Sequence, residues 1–226
     1  HTVEHLEKMG IGVTVGQKAE NIANFQPEVV IKTDAIMSTN PELIYAEQHH
    51  IPVYRRAVLL GVLLDEYPMT IGVAGTHGKT TTTSMITSIF LTAGKDPSAI
   101  IGGKLPYIGG NSYVGQSDII VCEACEYVDT FLQLTPAISV ILNIDADHLD
   151  YFKNLENIKR SFHRFACQTS RLLVVNGDDA NTLEAIKGVP LETIRYGFNQ
   201  SNDYYAANLT VSHGAVQHFD LMHKGE

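Results

Sequence analysis

Residues Gly75-Thr-His-Gly-Lys-Thr-Thr81 follow an apolar run, Thr70-Ile-Gly-Val-Ala74, and precede a segment with helical periodicity. A glycine-rich turn between a buried strand and a helix is the usual form of a phosphate-binding loop. Glycines let the backbone curl around phosphate oxygens, and both the helix N-terminus and Lys79 supply positive charge. We therefore predict that residues 75–81 bind nucleotide phosphates. Thr80 and Thr81 can offer a hydroxyl to Mg²⁺, and we expect Lys79 to be a partly exposed loop charge.

The spacing of this loop departs from the general pattern G-x-x-x-x-G-K-[ST], which requires glycine where this chain has Val73. The segment fits a shorter variant, G-T-x-G-K-T-T. An ordinary turn that caps a helix is the structural alternative. A general P-loop kinase or GTPase is the functional alternative, and it is weakened by Val73 and by the lack of an Asn-Lys-x-Asp signature in the sequence.

The composition is that of an acidic globular protein, with 226 residues and a net charge of -9. This length is enough for one large domain or one and a half typical ones. The charge argues against a surface for nucleic acid or anionic membrane. No apolar run reaches the ~18 residues of a membrane-spanning helix, and the N-terminus lacks the layout of a signal peptide. Because three cysteines do not suit a disulfide framework, we expect a cytoplasmic protein.

The cysteines permit two further interpretations. Cys122-x-x-Cys125 and His163-x-x-x-Cys167 have the residue types of a four-ligand zinc site, and the first pair has redox spacing. Cys122 lies in the apolar strand 118–123, however, where a thiol behaves as a small core residue. We favour neither interpretation.

Hydrophobic periodicity divides the chain into two units that meet at the polar linker Asp65-Glu-Tyr-Pro68. In residues 1–66 we predict helices at 2–9, 41–49 and 56–64, and strands at 11–15, 28–31 and 51–54. In residues 67–226 we predict strands at 70–74, 119–122, 137–142, 172–175 and 193–196, helices at 79–93, 155–167 and 179–187, and a hairpin of 204–211 and 215–222. Helix 79–93 should bury one face, made of Ile86, Ile89, Phe90 and Ala93. Alternating strands and helices predict an α/β fold with parallel sheets.

Acidic side chains follow two of the predicted central strands. Glu123 ends one strand, and Asp145, Asp147, His148 and Asp150 follow the next. Ligands bind at the carboxyl edge of open α/β sheets, so these groups are candidates for cation binding or acid-base chemistry. The alternative is a solvated strand end and a structural histidine.

Three motifs carry a resemblance to a known family: Gly75–Thr83, Glu123-Ala-Cys-Glu-Tyr127 and Asn143–Phe152. Their order and spacing resemble those of the Mur ligases, the ATP-dependent amide-forming enzymes of peptidoglycan synthesis, in the branch that adds the first amino acid. The first unit is similar to the UDP-substrate domain of that family. The resemblance implies a partial Rossmann-like domain at 1–66, then a P-loop-type parallel-sheet ATPase domain at 67–226 with a small β extension.

The resemblance also implies site residues and substrates. ATP would be bound by the loop residues Gly75, Thr76, His77, Gly78, Lys79, Thr80 and Thr81. Lys79 and His148 would be catalytic, Thr80 and Glu123 would hold Mg²⁺, and His148 would be the ligand of a second metal. Substrate contacts would come from Ser38, Arg55, Arg56 and Asn143. The implied reaction phosphorylates the carboxylate of UDP-N-acetylmuramate, and the amine of L-alanine then attacks the acyl phosphate.

The sequence departs from the family pattern in places. The glycine-rich first turn and the C-terminal domain of the family have no counterpart in these residues, so we expect a piece of a longer protein that is inactive alone. His163 stands near the place of a modified lysine found in other members. A murein tripeptide ligase and a nucleotide-binding module without chemistry remain the alternatives, and the oligomeric state stays open.

Overall fold

The computed structural model describes residues 2–212 and 216–225. The chain divides into two compact units at Leu59 and Leu60, slightly before the predicted boundary. Among the described residues, no helix is both long enough and apolar enough to span a bilayer.

The first unit is built from short elements. Helices α1 (Thr2–Lys8) and α2 (Ala19–Phe25) precede strand β1 (Val30–Lys32), helix α3 (Pro41–Gln48) and strand β2 (Val53–Arg55). The two strands pair in parallel, with Ile31 opposite Tyr54. Helix α3 begins where the sequence predicts, because the Asn40 side chain accepts hydrogen bonds from the N–H groups of Glu42 (2.8 Å) and Leu43 (3.3 Å).

One expectation for this unit is wrong, and one helix was not predicted. The predicted strand 11–15 is irregular backbone, and Val15 is 88% exposed, so the apolar alternation there has no sheet to bury it. Helix α2 was not predicted. Its N-cap, Lys18, makes no side-chain capping hydrogen bond, so the usual sequence signal for a helix start is missing.

The second unit is a nine-stranded sheet flanked by helices. Helix α4 (Arg56–Asp65) leads into it. The elements that follow are β3 (Met69–Ala74), α5 (Lys79–Thr92), β4 (Ser98–Leu105), β5 (Gly110–Tyr113), β6 (Ile119–Glu123), β7 (Ile138–Ile141), α6 (Leu149–Phe152), α7 (Leu155–Gln168), β8 (Leu172–Asn176), α8 (Ala180–Ala185), β9 (Glu192–Gly197), β10 (Tyr204–Ser212) and β11 (Val216–His223). Short 3₁₀ helices cover 106–108 and 127–133.

The strand order is β11-β10-β9-β8-β7-β3-β6-β4-β5, and the strands from β10 through β4 run parallel. Antiparallel partners, β11 and β5, close the two edges. Strand β3 is central, because Gly72 lies opposite Cys122 of β6 and Ser139 of β7. The α/β fold with a mostly parallel sheet is confirmed.

Three details of the second unit differ from expectation. Strands β4 and β5 were not predicted, and the β10–β11 hairpin continues the main sheet through the pairing of Tyr204 with Tyr196. The predicted turn at 212–214 lies largely outside the described residues.

The buried face of α5 contains Thr83 and Thr87, both 0% exposed, whereas Ile89 is 66% exposed and Ala93 is also exposed. Each threonine hydroxyl bonds a carbonyl one turn earlier, which lets it be buried.

Candidate nucleotide-binding site

The loop between β3 and α5 lies at the carboxyl edge of the sheet, between the ends of β6 and β7. Gly75 has a φ of 149°, and a Cβ there would lie 2.9 Å from Cβ of Leu142. Gly78 is the N-cap of α5 with a φ of 85°. Both positions therefore require glycine, one for close approach and one for a left-handed backbone.

Asn143 holds the loop in place from the end of β7. Its Oδ1 accepts a hydrogen bond from the N–H of His77 (2.8 Å), and its Nδ2 donates to the His77 carbonyl (3.0 Å). The Asn143 carbonyl accepts from the N–H of Thr76 (3.0 Å), and the Thr76 hydroxyl accepts from the N–H of Asp145 (2.9 Å). The structure thus places Asn143, a predicted substrate contact, against the loop 75–81.

The Lys79 side chain extends back over the loop that precedes it and reaches Glu126. Its Nζ donates to the carbonyls of Gly75 (2.6 Å) and Thr76 (3.3 Å) and to Oε1 of Glu126 (3.1 Å). The side chain is 13% exposed, so Lys79 is partly exposed as expected, but it is also half of an ion pair with a buried acid, which was not expected. The pairing compensates the cost of removing both charges from water.

Thr80 and Glu123 meet beside the loop. The Thr80 hydroxyl donates to Oε2 of Glu123 (2.8 Å), and the backbone N–H of Gly102 in β4 donates to the same oxygen (2.8 Å). A Cβ at residue 102 would lie 2.5 Å from this oxygen, so the carboxylate occupies the space that a side chain would fill. One carboxylate and one hydroxyl form the hard oxygen donor set that suits Mg²⁺ bound together with phosphates.

His148 lies at the N-cap of α6 with a left-handed backbone (φ 51°). Its Nε2 is 3.8 Å from Oε1 of Glu126, and its ring centroid is 4.7 Å from that of Tyr127. Asp145 and Asp147 accept hydrogen bonds from the next residue's N–H, at 2.7 Å in each case. Across the described ranges, no group of three or more His, Cys, Asp or Glu side chains converges on one point.

The contacts of the remaining predicted residues are as follows. Ser38, Arg55 and Arg56 belong to the first unit, where Nε of Arg55 contacts Oδ1 of Asp34 at 2.6 Å. Nδ1 of His163 lies 2.7 Å from the Ala185 carbonyl, so this ring is directed toward α8. Cys122 is buried in β6, in keeping with a core thiol, and no cysteine in the described part of the chain forms a disulfide.

Sequence reasoning missed three parts of this site: the Gly102 N–H, the Glu126 carboxylate and the anchoring role of Asn143. The Gly102-Gly103 pair is a signal that could have been used, since glycine inside a strand often marks a close approach. Glu126 carried no signal, because nothing local shows that a loop acid is directed inward.

An open parallel sheet with a glycine-rich loop and a helix N-terminus at its carboxyl edge is the architecture of nucleotide-binding α/β proteins. Comparison with known families gives the finer assignment. The Mur ligase middle domain matches residues 73–226, and the catalytic domain of the Mur ligase family matches residues 1–68. The chain belongs to the Mur ligase family, as its motifs predicted.

Individual relatives support this assignment. The chain is 42% identical to the UDP-N-acetylmuramate–L-alanine ligase of Caldanaerobacter subterraneus subsp. tengcongensis, across 100% of this chain and 49% of the relative. It is 43% identical to the protein of the same name from Agathobacter rectalis, across 97% of this chain and 48% of the relative. The chain thus spans about half the length of these curated relatives.

Solved structures of the family superpose closely. A UDP-N-acetylmuramate:L-alanyl-gamma-D-glutamyl-meso-diaminopimelate ligase from Neisseria meningitides matches with a TM-score of 0.88 and 25% identity, over 99% of this chain and 73% of that one. The UDP-N-acetylmuramate-alanine ligase of Thermotoga maritima matches with a TM-score of 0.85 and 27% identity, over 99% and 50%.

Proposed function

We propose that these residues are the ATP-binding and sugar-nucleotide-binding part of an enzyme that joins L-alanine to UDP-N-acetylmuramate. The observation that carries the proposal is the convergence of Lys79, Thr80 and Glu123 at the loop before α5. The two substrates, UDP-N-acetylmuramate and L-alanine, are taken from the names of the relatives at 42% and 43% identity. We place the protein in the cytoplasm, because three cysteines do not suit a disulfide framework.

The N-terminus of α5 is the proposed phosphate site. The first N–H groups of a helix have no partner within it, and Gly78 offers them no capping side chain. Their dipoles and the Lys79 ammonium favour the charge of the β- and γ-phosphates. The N–H groups of Thr76 and His77 are held by Asn143, so these two residues shape the loop.

Thr80 and Glu123 are the proposed Mg²⁺ ligands, with Gly102 orienting the carboxylate. When bound, Mg²⁺ would supply positive charge that neutralises the phosphates. His148 is the proposed second-metal ligand, a role that rests on the family resemblance alone.

The proposed chemistry has two steps. A carboxylate oxygen of UDP-N-acetylmuramate attacks the γ-phosphorus of ATP, forming an acyl phosphate and releasing ADP. The amine of L-alanine then attacks the acyl carbon, and inorganic phosphate leaves as the amide forms. Lys79 would stabilise the charge that builds on the transferred phosphoryl group, and Ser38, Arg55 and Arg56 are proposed to contact the sugar nucleotide.

Ligation of a recycled peptide to the same sugar nucleotide is the second candidate. The observation in its favour is the structural match, at a TM-score of 0.88, to the Neisseria meningitides ligase, whose name gives the tripeptide L-alanyl-gamma-D-glutamyl-meso-diaminopimelate as a substrate. The Mur ligase loop and sugar-nucleotide domain suit either acceptor.

The experiment that tests the proposal measures ADP release by the complete polypeptide, with UDP-N-acetylmuramate and a panel of amino acids and one tripeptide. Release that depends on L-alanine supports the first function, and release that depends on the tripeptide supports the second. Binding of ATP with no ADP release under any acceptor would contradict both and leave a nucleotide-binding module.

A further inference from the structure

Glu126 is a buried acid that the proposed chemistry does not use. The residue is 2% exposed, although it lies in the loop that follows β6. Its Oε1 accepts a hydrogen bond from Nζ of Lys79 at 3.1 Å. Its Oε2 lies 2.9 Å from the same nitrogen as an ion-pair contact, yet accepts no hydrogen bond from the described residues. A carboxylate has about four acceptor positions, so this buried anion is supported mainly by one ammonium group.

All three N–H donors of the Lys79 ammonium group already have hydrogen-bond acceptors in this arrangement. An ammonium group carries three N–H donors, and its partners are the carbonyls of Gly75 and Thr76 and the carboxylate of Glu126. A phosphate oxygen can therefore bond Lys79 only by displacing one of them. The carbonyls are neutral parts of the loop, whereas the carboxylate carries a charge that repels phosphate. Glu126 is the partner in direct competition with the nucleotide.

We propose that Glu126 is an internal counter-ion that competes with the nucleotide phosphates for Lys79, an inference that rests on the proposed function of this loop. Without nucleotide, Glu126 neutralises the ammonium and holds it across the loop. With nucleotide bound, the ammonium turns to the phosphate, and Glu126 is left as an anion beside it. The carboxylate thus weakens binding of both ATP and ADP and speeds the release of ADP, a step that limits many enzymes.

The variant Glu126→Gln tests this proposal, because it keeps the size of the side chain and one acceptor oxygen but removes the charge. We expect ATP and ADP to bind about tenfold more tightly, with ADP dissociating more slowly by a similar factor, since one like charge near the phosphates is gone. Glu156→Gln is the matched control: it makes the same change of net charge at a side chain that is 57% exposed on α7. It should bind like the wild type.

A residue that only positions Lys79 would give the opposite sign, because its loss would weaken nucleotide binding. Weaker or unchanged binding by folded Glu126→Gln therefore overturns the proposal. A wild-type chain that does not bind ATP, or a folded Lys79→Met variant that binds as well as wild type, overturns the proposed function itself and this inference with it.

The stability of the pair supplies a second test, useful if a variant folds poorly. Lys79→Met leaves the buried carboxylate without its cation, so its thermal unfolding midpoint should fall well below that of the wild type. Adding Glu126→Gln should restore most of this loss, because no unpaired buried charge remains. Additive losses in the double variant would show that the two side chains are not coupled and would overturn the counter-ion role.

Discussion

At the residue scale, the site depends on which side chains the loop geometry brings together. Glu123 and Thr80 were predicted to share a metal ion from their places after a strand and at a helix start. The structure brings their oxygens within 2.8 Å of each other. The Glu126 contact with Lys79 was not predicted, because it depends on the backbone path between β6 and the 3₁₀ helix at 127–133, which has no local sequence signal.

Thr80 and Glu123 should act on one ion, and substitutions should reveal it. We expect Glu123→Gln and Thr80→Val each to weaken the apparent Mg²⁺ affinity by about tenfold or more, while ATP binding without metal changes less. Because the ion is shared, the double variant should lose less than the sum of the two effects. Mg²⁺ titrations of the three variants measure this, and fully additive losses would remove Glu123 from the proposed metal site.

Asp178 should make stability depend on pH. Hydrogen bonds from the N–H of Phe198, then from the Asn202 side chain and the N–H of Asn199, favour its charged form and lower the pKa of this carboxyl. Because the pKa is lower in the folded state, this carboxyl stabilises the fold at pH values above its unfolded-state pKa of ~3.9. The stabilisation is lost as the pH falls through the folded-state pKa.

Asp178→Asn should therefore unfold at a lower temperature than wild type at pH 7, with the difference shrinking as the solution is acidified below about pH 4. Thermal unfolding across this pH range measures the effect. Glu192→Gln, on the exposed start of β9, is the control and should show no such dependence. A difference that stays constant with pH would contradict the role given to Asp178.

At the scale of elements, apolar runs predicted the buried central strands well, because β3, β6 and β7 are covered on both faces. Strand β4 was not predicted, because Gly102 and Gly103 interrupt its apolar pattern. A Cβ at residue 102 would clash with the Glu123 side chain, and one at residue 103 would lie 3.0 Å from the Thr80 side chain, so these positions favour glycine. The false strand at 11–15 shows the reverse case: a pattern becomes a strand only where a partner strand exists.

Helix α4 provides a test of packing between elements. Gly61 is buried, and a Cβ there would lie 2.2 Å from the carbonyl oxygen of Gln133 in the 3₁₀ segment. Helix propensity alone predicts that Gly61→Ala stabilises the protein by about 0.5–1 kcal/mol. We expect the clash to dominate and to destabilise it by about 1–3 kcal/mol. Denaturant unfolding measures the sign, and Gly12→Ala, where no atom lies within 4 Å of the added Cβ, is the control.

At the scale of the whole molecule, the chain spans about half the length of the relatives that carry the ligase name. We expect residues 1–226 to fold and to bind ATP but not to form the amide, because ligation requires an amine held against the acyl phosphate. Such positioning can contribute ~7 kcal/mol or more to lowering a barrier. Amide formation by this chain and by the complete polypeptide, at saturating substrates, is the measurement. Comparable rates would show that these residues suffice.

If the loop before α5 carries the proposed ATP chemistry, Lys79 is the residue whose substitution tests it most directly. A single substitution leaves Glu126 unpaired in the interior, which can cost about 3–5 kcal/mol of stability and would confuse loss of fold with loss of function. The double variant Lys79→Met/Glu126→Gln avoids this problem. Its thermal unfolding midpoint should confirm a native fold before any rate is compared.

The deciding measurement is ADP formation by the complete polypeptide with UDP-N-acetylmuramate and L-alanine, for wild type, Glu126→Gln and the double variant. We predict that the double variant is slower than Glu126→Gln by about 10²-fold or more, since it lacks the charge that stabilises phosphoryl transfer. Near-equal rates in two cleanly folded variants would contradict the assignment of this loop as the ATP site.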